Sequence, residues 1–130
     1  MKEQLLEYRL KGYCCAQIVA DYCLKKMGKE NQDMVDAMAG LCFGSWQDKL
    51  CGTLSAAICM LYLSDPKEAS ERNVRDLTDW FESTFDSVEC ADILEGNPLN
   101  KIEKCPAIVE ATLMELSDML SLNDISESSL

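Results

Sequence analysis

The chain has 130 residues, 12 basic and 23 acidic side chains, and a formal net charge of −11. That length suits one domain with a real hydrophobic core, and the acidic balance excludes a nucleic-acid-binding role, which needs a basic footprint. Eight cysteines and no histidine exclude imidazole-based catalysis and the commonest nitrogen ligand for a metal, so sulfur is the only soft, redox-capable chemistry on offer.

The N-terminus, Met1-Lys2-Glu3-Gln4-Leu5-Leu6-Glu7-Tyr8-Arg9, reads as a charged helix start and not as a signal peptide, because no apolar core follows its basic residue. The first predicted helix covers about Lys2–Leu10 and breaks at Gly12. A second runs from about Tyr13 to Met27, with Ala16, Val19, Ala20, Cys23 and Met27 on one face, and Gly28 as its stop. A third runs from about Gln32 to Phe43, with Met34, Val35, Met38, Leu41 and Cys42 at helical spacing.

The stretch from Thr53 to Leu63 has no charged residue. A helix that is apolar all round is expected to be buried on every side. It is too short to cross a bilayer, and no other run reaches the roughly 18 apolar residues of a span. The reading is therefore a central helix, over about residues 52–63, with no membrane insertion. Asp65-Pro66-Lys67-Glu68 starts the next helix, with Asp65 as cap, Pro66 in the first turn and Glu68 at the capping-box position. That helix carries Val74, Leu77, Trp80, Phe81 and Phe85 inward. A short turn follows over about Cys90–Leu94. The last helix is expected to start at Cys105-Pro106 and run to about Leu120. Residues 121–130 are acidic and are expected to be a disordered tail. The fold class is all-α, one compact domain over 1–120, with about five to seven helices packed around the apolar one.

Four cysteines share a placement at or just inside a predicted helix N-terminus: Cys15, Cys51, Cys90 and Cys105. Free N–H groups and the helix dipole favour a thiolate there, which makes a better nucleophile and a better metal ligand. Cys23 and Cys59, mid-helix on apolar faces, read as core residues. Cys14 and Cys42 stay open as additions to a site. No C-x-x-C pair occurs, so a thiol site must be assembled from distant segments. Four sulfurs without a nitrogen favour an iron–sulfur cluster, with a closed zinc site as the alternative. A chain without an export signal is expected in the cytoplasm, where many cysteines point to metal or redox roles more than to structural disulfides.

The residues around these cysteines resemble the C-GCAxxG-C-C family of redox-active proteins over about Leu5–Leu120. Gly12-Tyr13-Cys14-Cys15-Ala16-Gln17 is similar to the family's G-Y-x-C-A-Q opening. Cys51-Gly52-Thr53-Leu54-Ser55-Ala56 is similar to its central segment, with Thr53 in place of alanine and Ala56 in place of the last glycine. Cys90 with Ala91-Asp92-Ile93-Leu94, and Cys105 with the helix after it, match its third and fourth cysteine segments. The resemblance implies a helical fold and a redox role carried by Cys15, Cys51, Cys90 and Cys105.

The leading expectation is a small cysteine-based redox protein. These four cysteines would converge to hold an iron–sulfur cluster, lost in aerobic preparations, or act as a thiol/disulfide relay. Air oxidation is expected to form disulfides among the four. A redox protein is the expected partner, and homodimerisation is left open. The alternatives are a non-catalytic helical interaction module with core cysteines and a thiolate zinc or soft-metal binding protein.

Overall fold

The computed structural model describes residues 1–120, and the expected acidic tail at 121–130 lies outside the described residues. The chain is all-α. Its helices are α1 (Lys2–Leu10), α2 (Cys15–Lys26), α3 (Gln32–Ala37), α4 (Gly52–Ser64), α5 (Pro66–Glu68), α6 (Val74–Phe85), α7 (Cys90–Ile93) and α8 (Lys101–Leu120). No strand occurs among the described residues; Leu50 and Glu89 form one isolated antiparallel bridge.

Local chemistry explains most of the boundaries. Asn31 caps α3 by accepting a hydrogen bond from the Met34 N–H at 3.0 Å. Asp65 accepts from the Glu68 N–H at 3.2 Å, with Pro66 at the first position of α5, as its sequence signature requires. The Cys14 N–H donates to Gln17 Oε1 at 3.2 Å and so caps α2 from within. Gly28 ends α2 with φ +71°, a conformation that glycine adopts without strain. A wider turn at Ala69–Asn73 joins α5 to α6.

Two expected boundaries move. The third helix does not reach Phe43: α3 stops at Ala37, a tighter turn covers Met38–Leu41, and Cys42 is extended with ψ 154°. The last helix begins at Lys101, not at Cys105, and Pro106 lies inside it. Pro106 is only the sixth helical residue. The single bond its missing N–H removes is tolerated this close to the helix start.

α4 packs against α2, α8 and α6 and forms the middle of the bundle. Leu54, Ala56, Ala57, Met60 and Leu61 on α4 meet Val19, Ala20 and Cys23 of α2, Leu77 and Phe81 of α6, and Leu113 and Leu116 of α8 in one buried cluster. The expectation that α4 is buried all round does not hold. Tyr62 is 45% exposed, and Ser55, Ile58 and Cys59 are half-buried. The surrounding helices leave one side of α4 uncovered, so apolar composition overstated its enclosure. Cys59 is accordingly not a core residue, whereas Cys23 is fully buried.

Candidate functional site

At the N-terminal end of α4 the segments that carry Cys51 and Cys90 meet. Cys51 is the N-cap of α4 and Cys90 is the first residue of α7. A two-rung ribbon holds them side by side. The Cys51 N–H donates to the Val88 carbonyl at 2.8 Å, and the Cys90 N–H donates to the Lys49 carbonyl at 2.7 Å. Alternation about the Leu50–Glu89 pair puts Cys51 and Cys90 on the same face of this ribbon. Cys15 opens α2, and Cys105 is the fifth residue of α8. Lys104 fastens α8 to α7 by donating to the Ile93 carbonyl at 2.9 Å and to Glu95 at 3.0 Å.

Electrostatics link the four thiols. Burial pushes Cys105 up to about 12, and the neighbouring Cys15, Cys51 and Cys90 reinforce that shift. Burial likewise raises Cys51 to about 11, with Cys15 adding to it. Cys90 is raised by burial, then by Asp48 and Cys15. Lys101 is the cation that acts in the opposite direction on Cys90 and Cys105.

For Cys51, Cys90 and Cys105 these shifts correct the expectation that helix N-termini lower the thiols. At Cys51 the Leu54 and Thr53 amides and the Thr53 hydroxyl do favour the thiolate. Cys51 is only 8% exposed, however, and withdrawal from water outweighs those donors. Cys105 is not at a helix N-terminus at all, because α8 starts four residues before it.

Two of the four thiols, Cys15 and Cys105, line a cavity of about 670 Å³ between α1, the start of α2, the 43–46 segment and the start of α8. The 43–48 segment has an unusual backbone. Phe43, Gly44, Ser45, Trp46 and Asp48 all have φ between 57° and 63°. Four of these are not glycine, and such left-handed positions are sparsely populated and held only by their surroundings. Trp46 Nε1 donates to the Ala39 carbonyl at 2.8 Å. Phe43 and Trp46 lie with ring centroids 4.5 Å apart, and Lys101 Nζ sits 2.9 Å from the Phe43 centroid.

A disulfide joins Cys14 to Cys42, with Cα atoms 6.2 Å apart. Cys15, Cys51, Cys90 and Cys105 are free thiols. The turn at Met38–Leu41 packs on α2 and delivers Cys42 to the residue before α2, while burial holds three of the four other thiols protonated. Nothing in the spacing of Cys14 and Cys42 announced this pair. The contribution of Lys101, Phe43 and Trp46 was also not visible in the sequence, because it depends on the left-handed turn.

The four sulfurs are a donor set of the kind that suits iron–sulfur clusters or zinc. As the side chains stand, no three Cys, Asp or Glu among the described residues are grouped closely enough to hold a metal ion. No helix among them is long and apolar enough to cross a membrane. A family model described as "Putative redox-active protein (C_GCAxxG_C_C)" matches residues 13–119. No curated protein and no solved structure matches the chain.

Proposed function

The chain belongs to the C-GCAxxG-C-C redox-active family, and from that membership we propose that it is a thiol/disulfide relay working through Cys15, Cys51, Cys90 and Cys105. What supports this reading is the ribbon that holds Cys51 and Cys90 on one face, with Cys15 and Cys105 lining one cavity. Cys15 is the entry point, because it is half-buried and lines the cavity. As a thiolate it attacks one sulfur of an oxidised partner protein's disulfide. A mixed disulfide forms and one partner thiolate leaves. A second thiol, Cys51 or Cys105, gives up its proton and attacks the Cys15 sulfur, releasing the other partner thiolate. Two electrons pass to the partner, and an intramolecular disulfide remains. The burial that keeps Cys51 and Cys105 protonated makes them slow alone and suits them to the resolving step, where the mixed disulfide is already adjacent.

A second reading is a thiolate-held iron–sulfur cluster or zinc ion, favoured by the same all-sulfur donor set. It requires the four side chains to draw together from their present positions. No step of the relay passes through it. We place either activity in the cytoplasm, where a reducing pool would recycle the relay.

One preparation separates the readings. The chain is purified anaerobically, its visible spectrum and metal content are recorded, and a metal-free portion is treated with an oxidised dithiol reagent. The relay requires a new disulfide among the four cysteines, mapped by mass spectrometry of unreduced peptides. Stoichiometric iron or zinc supports the metal reading instead. Four thiols that stay free and metal-free after both treatments overturn both.

A further inference from the structure

We propose that the cavity beside Cys15 and Cys105 is a binding site for a small organic anion with an apolar body of aromatic size. Its volume, about 670 Å³, falls within the range of small-molecule sites. Buried Leu5, Ile18 and Val109 contribute apolar lining, and Phe43 and Trp46 contribute aromatic faces.

Charge selects the sign of the occupant. The chain has 23 acidic side chains against 12 basic ones, yet the cavity lining contains Arg9 and Lys101 and no carboxylate. Neither cation takes part in the ion pairs among the described residues, which are Lys25–Asp21, Arg72–Glu68 and Lys104–Glu95. Lys101 instead rests on the Phe43 ring, which keeps its charge at the cavity. Two uncompensated cations on an apolar wall attract an anion and repel a cation.

The rim carries the second observation. Leu6, Leu10, Trp46 and Ile102 all line this cavity and are between 54% and 79% exposed. Exposed apolar surface gathered at one concavity marks a binding site, whereas scattered single residues need no explanation. The body of the ligand covers this surface while its anionic group meets Arg9 and Lys101. The same wall holds the Cys15 and Cys105 thiols, so a bound anion would lie against both. The proposal concerns binding alone, so it and the relay can fail independently.

The test uses the full chain and two fluorescent probes of similar size. Anilinonaphthalene sulfonate carries the anionic group, and phenylnaphthylamine is its uncharged counterpart. The sulfonate is expected to bind saturably at one site per chain. The Arg9→Gln/Lys101→Gln double variant is expected to weaken it at least about tenfold, the scale of a lost charge-assisted contact. The uncharged probe should then change less than about twofold. Ile102→Glu, at an exposed position, should weaken both probes, and Lys67→Gln/Arg75→Gln, remote from the cavity, should affect neither. Bound sulfonate should also slow alkylation of Cys15 and Cys105 while leaving Cys59 unchanged. Circular dichroism and melting curves must show that each variant folds as the parent does. Non-saturable binding, indifference to the two cations, or self-association that competes with the probe would each overturn the proposal.

Discussion

A methyl group on Gly52 would stand 2.5 Å from the Leu41 carbonyl oxygen and 3.1 Å from the Cys42 Cα. Both obstacles are backbone atoms, and Cys42 is tied by the disulfide to Cys14, so the segment has little freedom to retreat. This gives a physical reason for the Cys-Gly step that opens α4. In a helix without such a contact, Gly→Ala stabilises by about 0.5–1 kcal/mol. Here the sign should reverse. Gly52→Ala is expected to destabilise by about 1–3 kcal/mol, the usual cost of overpacking, in urea titrations. A gain in stability would mean the α4 terminus and Leu41 are not in close contact. Thr112 presents the opposite case. It is 0% exposed, and its hydroxyl has no hydrogen-bond partner among the described residues. Thr112→Val keeps the shape and removes the stranded group, so stability should rise by about 1 kcal/mol. A loss would show that the hydroxyl is bonded after all.

Elements were legible in the sequence where one physical signal governed them. Lys2–Leu10 and the capped start at Asp65-Pro66 follow from charge, capping and proline chemistry acting within a few residues. The start of α8 was misplaced because proline usually marks a first turn, whereas here Lys101–Cys105 precede it in the helix. The left-handed 43–48 segment was not legible, since non-glycine residues reach that conformation only under tertiary constraint. The four-cysteine set rests on helix-terminal placement, which is present at Cys15, Cys51 and Cys90 and absent at Cys105. What joins Cys51 to Cys90 is instead the short ribbon at Leu50–Glu89, which residue periodicity does not encode. That ribbon predicts a difference between two serine substitutions. Cys51→Ser should slow thiol exchange, with Cys105 left to resolve the mixed disulfide, while leaving helical content intact, because serine is itself a good N-cap. Cys59→Ser, at a half-buried position on α4, should leave exchange unchanged and cost less than about 1 kcal/mol. Equal loss of exchange in both variants would leave the core-cysteine reading standing. The disulfide closes a loop with a sequence separation of 28. Its reduction, or Cys14→Ser, should lower stability by about 3–4 kcal/mol, read from denaturation with and without reductant.

At the scale of the whole molecule, the buried thiols make folding stability depend on alkaline pH. Burial raises Cys23 and Cys105 to about 12 and Cys51 to about 11, from an ordinary value of 9.0. Each folded thiol therefore keeps its proton at a pH where the unfolded chain has released it. Below about pH 8 both states are protonated and these groups leave stability independent of pH. Between pH 9 and 12 the unfolded state binds fewer protons, so stability falls as pH rises. Each such thiol contributes a slope of up to about 1.4 kcal/mol per pH unit. Tyr8 and Tyr22, also raised by burial, act in the same direction at the upper end of this range. The net charge of −11 adds self-repulsion as further groups ionise. Cys23 isolates the thiol contribution, because it lies in the core and belongs neither to the disulfide nor to the four-cysteine site. Urea denaturation of the parent chain should show a steady loss of stability from pH 8.5 to 10.5, beyond the loss in Cys23→Ala by up to about 1.4 kcal/mol per pH unit. The variant starts lower at pH 7, because the cavity it creates has its own cost, so the comparison rests on slopes. Parallel slopes in the two proteins would show that Cys23 ionises as readily in the folded chain as in the unfolded one, which its complete burial forbids.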